Sequence, residues 1–574
     1  MTDDPLVDLL DRARTWADAD PEPGTALQLR EWIEGRDEQS LRECFDLPLE
    51  FGTAGIRGIV GPGPGRMNLA VVRRVTRALA EYLDSSHGAG SLVVLGCDAR
   101  IDSQRFTRET AAVLGAAGCK VLQFEMPVPT PLVAFATQRV QAAAGIVVTA
   151  SHNPPEYNGY KVYGDNAIQI VNPVDRLIAE RIVSLPPATE IPTDEESKDC
   201  ISRLGQSCLS DYQASVLKSR PKHVRFPLRI AYTPLHGVGW EPVKSLFDAA
   251  GYTDLQPVPS QVKPDGRFPT VRFPNPEEPG TLNQGIGLAQ SIGAHLLLAN
   301  DPDADRLAMA LPDGKGQWHA LSGNQLGIVL MDYLLGRARE SRQGRQPLVV
   351  STLVSTPMAD ALATAHGARI ERTLTGFKWL WTAALEILGD QSLSFLLAWE
   401  EALGYSTHES VRDKDGVAAA LIAADWVAAC HAAGIAPWNR LGELYREHGA
   451  WASRQVNIHK PGTRGAVDIK TAFERLSSNP PSDIAGAKIV RLEDFRQNAE
   501  QRPRWRGYSE LVILHLTDQA RLLARPSGTE PKLKFYIDVP AEVSAGQDPF
   551  VVLEAANVRA EQMGKWLANW LEIR

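Results

Sequence analysis

The sequence lacks an excess of basic residues. It contains 60 Lys and Arg against 69 Asp and Glu, which gives a net charge of −9 over 574 residues. General nucleic-acid binding requires a basic footprint, so we expect no nucleic-acid partner. An anionic ligand would therefore require a local cluster of Arg and Lys.

Long apolar runs and paired cysteines are also missing. No run approaches the roughly 20 apolar residues that span a bilayer, and the acidic start, Met1 to Pro5, has no apolar core of a secretory signal. The six cysteines form no CxxC pair and no zinc-type spacing. We therefore expect a cytoplasmic protein with reduced thiols and no membrane partner.

The length and the alternation of strand-like and helix-like runs indicate several α/β domains. At about 150 residues per domain, the chain corresponds to about three to five domains. Three consecutive series alternate apolar runs with amphipathic helices, which predicts mostly parallel sheets with helices on both faces. The last segment is typical of a small α+β domain. We predict domains at residues 1–219, 220–322, 323–450 and 451–574.

One strand-like run ends close to a serine. The run Gly145–Val148 is rich in β-branched residues and predicts a buried strand, while Asn153-Pro154 stops regular structure. Open α/β sheets bind ligands at the carboxyl ends of their strands, so Ser151 is a candidate nucleophile. The alternative is a solvated turn residue, because turns favour serine.

Three carboxylates follow another apolar run. The run Ala294–Ala299 leads into Asp301, Asp303 and Asp305, and carboxylates at this spacing can converge on one Mg²⁺ or Ca²⁺. An EF-hand is excluded because its sixth position would hold Arg306 instead of glycine. A solvated acidic turn is the alternative, although like charges this close would repel without a cation.

Other loops carry groups that could bind anions or sugar hydroxyls. Glycines around Arg57 permit close backbone approach. The loop Arg525–Lys532 contains an arginine that can donate two parallel hydrogen bonds, side-chain hydroxyls and unobstructed backbone N–H groups. These groups are typical of a phosphate-binding loop. Taken singly, such side chains are more often solvated surface charges. The candidates near the third series of strands are Lys378, Arg412, Glu400 and Glu401.

Four of these loops resemble, in order, the signature loops of the α-D-phosphohexomutase superfamily. They are Thr149–Pro154, Asp301–Arg306, Trp399–Gly404 and Arg525–Glu530, and Thr53–Gly58 is a fifth similar stretch. Together they span nearly the whole chain. The resemblance implies three similar α/β domains with mixed sheets and a smaller C-terminal α+β domain around a central cleft.

The resemblance also implies a phosphosugar mutase that acts on small-molecule sugar phosphates. Ser151 would carry a phosphoryl group and pass it to a sugar monophosphate, and the resulting bisphosphate would return its other phosphate to the serine. Mg²⁺ would be held by Asp301, Asp303, Asp305 and an oxygen of phosphorylated Ser151. A sugar bisphosphate, glucose 1,6-bisphosphate, would be the activator.

Further roles follow from the same resemblance. Lys161 and His152 are the candidates for proton transfer, although His152 could equally order its loop and Lys161 would need a lowered pKa. Arg57 and Arg306 would steady the phosphoserine. The implied substrate-binding residues are Thr375, Gly376, Lys378, Glu400, Glu401, Arg412, Arg525, Ser527, Gly528, Thr529 and Lys532.

Ala402 departs from the family pattern. The third loop usually has a serine at this position, so one sugar contact should be lost. The stretches Trp399–Tyr405, Thr373–Trp379 and Phe273–Glu278 look like the branch that contains phosphopentomutase and glucose-1,6-bisphosphate synthase. We predict glucose 1-phosphate and 6-phosphate as the favoured substrates, then mannose phosphates, with ribose or deoxyribose phosphates close behind.

Two other protein classes fit the sequence less well. Ser151 lies in no GxSxG elbow, and the adjacent His152 is poorly placed to act as the base of a serine hydrolase. A non-catalytic sugar-phosphate-binding protein would not need the serine, the three aspartates and the phosphate loop together.

Overall fold

The computed structural model describes residues 5–50, 55–194, 200–341, 344–460, 462–526 and 532–572. The chain forms two compact units. The first unit comprises residues 1–220, 228–308 and 408–421, and the second comprises residues 221–227, 309–407 and 422–574. The short stretch 408–421 therefore folds with the first unit, although its neighbours in sequence belong to the second.

Three helices at the amino terminus enclose a small apolar cluster. In the first of them, the buried residues Leu9, Ala13 and Ala17 recur at every fourth position and so share one face. The third is capped by Asp37, whose side chain accepts a hydrogen bond from a backbone N–H of the first turn. The helices are α1 (Pro5–Asp18), α2 (Pro23–Glu34) and α3 (Glu38–Phe45).

The next residues form alternating strands and helices around a six-stranded sheet. The elements are β1 (Ile56–Ile59), α4 (Leu69–His87), β2 (Leu92–Cys97), α5 (Ser103–Ala116), β3 (Lys120–Phe124), α6 (Thr130–Arg139), β4 (Ala144–Val148), β5 (Tyr157–Tyr163), α7 (Val174–Ser184), β6 (Ile201–Leu204) and α8 (Gln206–Ser219). The strand order is β1-β5-β4-β2-β3-β6. Strands β4, β2, β3 and β6 are parallel, while β5 and β1 pair antiparallel, so the sheet is mixed. Every residue of β4 is buried, as expected of a central strand.

A second βα series also belongs to the first unit. Its elements are β7 (Arg229–Thr233), α9 (Trp240–Ala250), β8 (Asp254–Pro257), α10 (Asn283–Ile292) and β9 (Leu296–Ala299). Strands β8 and β9 flank β7 in parallel. All four residues of β9 are buried, and the chain leaves this strand directly into the aspartate loop.

The second unit contains a third α/β sheet. The elements of this part of the chain are β10 (Ala308–Pro312), β11 (Trp318–Ala320), α11 (Gly323–Ser341), β12 (Gln346–Thr352), α12 (Met358–Ala365), β13 (Arg369–Thr373), α13 (Phe377–Ile387), β14 (Leu393–Glu400), β15 (Gly404–Ser406), α14 (Gly416–Ala432) and α15 (Pro437–His448). The first residues of α14, 416–421, belong to the first unit. The order is β13-β12-β14-β15. Strand β12 is parallel to both neighbours, and β15 pairs antiparallel with β14.

The carboxyl-terminal part of the second unit is an antiparallel sheet with two helices packed against it. The elements are β16 (Ala450–His459), α16 (Gly462–Ser478), β17 (Asp483–Ile484), β18 (Ala487–Asp494), β19 (Val512–Leu516), β20 (Arg521–Pro526), β21 (Lys532–Ala541) and α17 (Pro549–Trp570). The order is β16-β21-β20-β19-β18-β17. The predicted fold class, three α/β domains with mixed sheets and a further C-terminal domain, is confirmed, whereas the predicted domain bounds stay a prediction.

The six cysteines are all free thiols, and five of them are buried. Among the described residues, no single helix is long and apolar enough to cross a membrane. The helices Gly416–Ala432 and Pro437–His448 pass that test of length and composition only as a pair, with a bend of 91° between them.

Candidate active site

The serine predicted as a nucleophile lies in a tight, buried loop between β4 and β5. Ser151 is 3% exposed and has a φ of 53°, in the left-handed region that non-glycine residues rarely adopt. Its Oγ donates a hydrogen bond to Oδ2 of Asp301 at 2.9 Å, and Nδ1 of His152 lies 3.1 Å from the same oxygen. The serine is thus not a solvated turn residue.

The three aspartates after β9 converge in the first unit. Asp301, Asp303 and Asp305 are each at most 1% exposed, and one carboxylate oxygen from each lies within 4.8 Å of the others. Burial raises the pKa of Asp301 well above its ordinary value, and the charges of Asp303 and Asp305 raise it further. Three ionised carboxylates in this volume would repel one another strongly unless a cation lay between them.

The donor set fits a hard divalent cation. Oδ1 of Asp303 and Oδ1 of Asp305 are buried and accept no hydrogen bond within the described part of the chain, and such orphaned oxygens are costly. Mg²⁺ and Ca²⁺ take oxygen ligands of this kind. The buried aspartate group can therefore bind a metal ion.

Lys161 reaches the same group from β5. Its Nζ donates to Oδ2 of Asp303 at 2.8 Å and to Oδ2 of Asp305 at 3.0 Å. Burial lowers the pKa of Lys161, but the two carboxylates outweigh burial and raise it. The carboxylates that raise this pKa are those that a cation would occupy, so the acid/base role of Lys161 stays a prediction.

Lys414 is a second cation at the aspartates, and the sequence analysis missed it. It lies in the stretch 408–421, and its Nζ is 3.4 Å from Oδ2 of Asp305. Burial alone would raise the pKa of Asp305, but Lys161, Lys414 and Arg306 together hold it below its ordinary value. The only sequence signal was the charged run from Arg412 to Asp415.

Three further predicted residues of the first unit, Arg57, His152 and Arg306, lie at the serine loop or the aspartates. Arg57, on β1, donates to Oδ1 of Asn153 at 2.7 Å, and burial lowers its pKa to about 10. The backbone N–H of Arg306 donates to Oδ1 of Asp301 at 3.0 Å. Burial, with the nearby cations Arg306 and Arg57, lowers the pKa of His152 well below its ordinary value. Arg57 and Arg306 are thus both near the position of the serine.

Arg412 lies elsewhere in the first unit. Its Nη1 donates to the backbone carbonyl of Asn166 at 2.8 Å. Lys378, its predicted partner in phosphate binding, belongs to the second unit. A joint role of Arg412 and Lys378 therefore stays a prediction.

The second unit brings together part of the predicted substrate-binding set. Arg525, on β20, donates a hydrogen bond to Oγ1 of Thr375. Gly376 follows with a φ of 111° at the start of α13, and Lys378, 6% exposed, lies in the first turn of that helix. Lys532 begins β21. The other members of the loop, Ser527, Gly528 and Thr529, lie outside the described residues.

The two glutamates predicted to bind sugar hydroxyls occupy the end of β14. Glu400 is the last residue of the strand, and Glu401 follows it. Oε2 of Glu401 accepts hydrogen bonds from Oγ1 of Thr352 at 3.0 Å and from Oγ of Ser355 at 3.3 Å. Hydroxyls at the end of β12 therefore orient Glu401.

The fold and the serine–aspartate site define the class of phosphosugar mutases. Family models described as phosphoglucomutase/phosphomannomutase alpha/beta/alpha domains I, II and III match residues 48–186, 210–314 and 322–448. The chain belongs to this family and is an enzyme of the intramolecular phosphotransferase type. The resemblance noted in the sequence is confirmed.

Named relatives cover most of the chain. A probable phosphomannomutase of Haemophilus influenzae is 38% identical over 84% of this chain and 94% of its own. The phosphopentomutase of Homo sapiens is 34% identical over 92% and 90%, and a phosphoglucomutase of Staphylococcus aureus is 30% identical over 89% and 93%. A solved phosphoglucomutase/phosphomannomutase family protein of Burkholderia thailandensis has the same fold, with a TM-score of 0.66 at 20% identity over 92% of this chain and 98% of its own.

Proposed function

We propose that this chain interconverts a sugar 1-phosphate and a sugar 6-phosphate, with glucose phosphates favoured, through a phosphorylated Ser151. The observation that carries the proposal is the 2.9 Å hydrogen bond between Ser151 Oγ and Asp301. It sets the nucleophilic oxygen beside three buried carboxylates that can bind a cation. A serine in this setting suits phosphoryl transfer, which depends mainly on positioning and electrostatics.

The reaction is two phosphoryl transfers in opposite directions. In the first, the P–O bond to Ser151 breaks, a P–O bond to the free sugar hydroxyl forms, and the hydroxyl proton leaves to a base. In the second, the other P–O bond to the sugar breaks, a P–O bond to Ser151 forms again, and a proton returns to the freed sugar oxygen. Mg²⁺ held by Asp301, Asp303, Asp305 and an oxygen of the phosphorylated serine would neutralise charge on the group in transfer. Glucose 1,6-bisphosphate would prime the serine.

His152 and Lys161 are the proposed residues for proton transfer to or from the sugar hydroxyl. His152 Nδ1 lies 3.1 Å from Ser151 Oγ, beside the oxygen that would carry the phosphoryl group. Lys161 Nζ donates to Asp303 and Asp305, the carboxylates that would hold Mg²⁺. Arg57 and Arg306 supply positive charge for the phosphoserine.

The second phosphate of the sugar needs a separate anion site in the second unit. Arg525, Thr375 and the start of α13, with Lys378 in its first turn, form the described part of the proposed site. Helix N-termini and Arg forks both favour phosphate. Ser527, Gly528, Thr529 and Lys532 complete the proposed set, and Glu400 and Glu401 would bind sugar hydroxyls.

A phosphopentomutase or glucose-1,6-bisphosphate synthase activity is the second candidate. Ala402 removes one hydroxyl from the sugar loop, and a phosphopentomutase is among the long, similar relatives. Loss of a hydrogen-bonding group changes discrimination between sugars that differ by one hydroxyl. A non-catalytic sugar-phosphate-binding protein is the candidate of a different class.

Mass spectrometry tests the proposal directly. The purified protein is incubated with glucose 1,6-bisphosphate and Mg²⁺, and the peptide that contains Ser151 is examined for phosphate. We expect phosphorylation of wild type and none in Ser151→Ala, which should also lack mutase activity. An unlabelled Ser151 peptide, or full activity in Ser151→Ala, would contradict the mechanism. Parallel assays on glucose, mannose and ribose 1-phosphates rank the substrates.

A further inference from the structure

Arg100 donates hydrogen bonds to the backbone of the loop that carries Ser151. This residue follows β2 and is 3% exposed. Its guanidinium donates to four backbone carbonyls of the loop: Ser151 at 2.8 Å, Asn153 at 2.5 Å, Pro154 at 2.7 Å and Tyr157 at 3.0 Å. One side chain therefore ties together both ends of the loop that carries the nucleophile.

Asp98 is linked to the backbone N–H of Ser151 through Thr149. It is fully buried, and its Oδ2 lies 3.2 Å from Nε of Arg100. The same oxygen accepts a hydrogen bond from Oγ1 of Thr149 at 2.6 Å, and Thr149 Oγ1 in turn accepts from the backbone N–H of Ser151 at 2.8 Å. Arg100 holds the carbonyl of Ser151, and Asp98 holds its N–H through Thr149.

These bonds account for the backbone conformation of the serine. A φ of 53° at Ser151 is unfavourable for a side-chain-bearing residue and persists only where the surroundings over-determine it. The hydrogen bonds to the carbonyl and to the N–H of Ser151 fix its backbone on both sides. In this conformation Oγ reaches Asp301 at 2.9 Å.

Residues of the second βα series support Arg100 in turn. The Phe268 ring centre lies 5.1 Å from Cζ of the guanidinium, a cation–π distance. A Cβ on Gly266 would lie 2.7 Å from Cα of Arg100, so only glycine permits this backbone contact. The arginine is thus held between the serine loop and residues 266–268.

We propose that Arg100 is a positioning residue for phosphoryl transfer: it holds Ser151 in the left-handed conformation that aims Oγ at the aspartates. The proposal rests on the proposed role of Ser151 as the phosphoryl carrier. Arg100 itself touches no reacting atom. Its loss should therefore slow both transfers while leaving sugar-phosphate binding in the second unit intact.

Two substitutions of Arg100 and one matched control test this role. Arg100→Lys keeps the charge but cannot span four carbonyls, and Arg100→Met removes the charge. Arg73→Met is the control, because Arg73 is also a largely buried arginine, paired with Glu109 and bonded to the carbonyl of Ala188, that touches no residue of the serine loop. For each variant, kcat, KM, Tm and the rate of Ser151 phosphorylation by glucose 1,6-bisphosphate are measured.

We expect kcat and the phosphorylation rate to fall about 100-fold in Arg100→Met and at least about tenfold in Arg100→Lys, as for a misplaced nucleophile. KM should stay within about threefold, because ground-state binding is unchanged. Arg73→Met should have a lower Tm than wild type, but its kcat should stay within about twofold of the wild-type value. If Arg100→Met does not fold, Arg100→Lys decides the question.

Wild-type kcat in Arg100→Lys, or an equal loss of kcat in Arg73→Met, would overturn the proposal. A wild-type enzyme that is never phosphorylated on Ser151 would instead refute the proposed function. The two failures are therefore distinguishable in one experiment.

Discussion

At the scale of single residues, the two carboxylate oxygens of Asp303 differ in their hydrogen bonding. Its Oδ2 accepts hydrogen bonds from Thr130 Oγ1 at 2.7 Å and from Lys161 at 2.8 Å, while its Oδ1 accepts none from the described residues. The hydrogen bonds to Oδ2 fix the carboxylate, and Oδ1 can bind a cation. Asp303 can thus present a single oxygen to a ligand.

Asp303→Asn should remove most Mg²⁺-dependent activity. The amide keeps the shape but loses the charge, so we expect kcat to fall about 100-fold or more and Mg²⁺ affinity to weaken. Initial rates over a range of Mg²⁺ concentrations and calorimetric titration with Mg²⁺ measure both effects. Asp254→Asn is the control, because Asp254 pairs with Arg229 at the start of β8. Equal rates in the two variants would argue against a metal site at Asp303.

At the scale of elements, the stretch 408–421 is attached to the first unit by buried polar bonds. Tyr163 OH donates to Asp413 at 2.6 Å, and Tyr212 OH donates to Asp415 at 2.8 Å. Lys414 lies between the two aspartates in sequence. These bonds place Lys414, a cation from the third βα series, beside Asp305 of the buried aspartate group.

Tyr212→Phe should destabilise this attachment. Asp415 is fully buried, and losing a hydrogen bond to a buried carboxylate costs about 1.5–3 kcal/mol. The free energy of unfolding in urea should fall by about that amount. Tyr508→Phe, at a position 64% exposed, should change it by less than about 0.5 kcal/mol. Identical unfolding midpoints for both variants would contradict the assigned contact.

Helix α11 provides a matched pair of glycines for a packing test. A Cβ on Gly327 would lie 2.4 Å from the ring of Trp399 on β14, whereas a Cβ on Gly336 meets nothing within 4 Å. Gly327→Ala should cost about 1–3 kcal/mol through overpacking. Gly336→Ala should stabilise by up to about 1 kcal/mol through helix propensity. Urea unfolding of both variants checks the opposite signs, and a stabilised Gly327→Ala would refute the close contact.

At the scale of the whole molecule, buried thiols make stability depend on alkaline pH. Burial raises the pKa of Cys97 and of Cys430 to about 12, from an ordinary value of 9.0. Below pH 9 these thiols are protonated in both states. Between pH 9 and about 12, only the unfolded chain ionises, so stability must fall as pH rises.

Cys430→Ala should flatten that decline, and Cys200→Ala should not, because Cys200 is the one cysteine that is not buried. Urea unfolding at about pH 8 and about pH 10 gives the difference for each variant. The smaller side chain lowers the free energy of unfolding equally at both pH values, so this loss cancels in the comparison. An unchanged pH dependence in Cys430→Ala would rule out the thiol contribution.

The α/β fold class was predictable because its signals are local, and the reaction class was predictable because several loops resemble those of a known family. Alternating strand and helix periods indicated the α/β domains, and the loops around Ser151, Asp301 and Arg525 each carry their chemistry within a few residues. The contribution of residues 408–421 to the first unit was not predictable, since nothing local to Lys414 shows which compact unit it joins.

The sequence by itself determined which chemical groups this protein has and on which loops they lie. Only the tertiary structure decided which groups meet. Arg100 and Asp98 lie about fifty residues before the serine loop in the chain, and neither belongs to a recognised motif, so their role emerges only when the ends of β2 and β4 become neighbours. The left-handed conformation of Ser151 has the same origin, because long-range hydrogen bonds maintain it against the local preference of the residue.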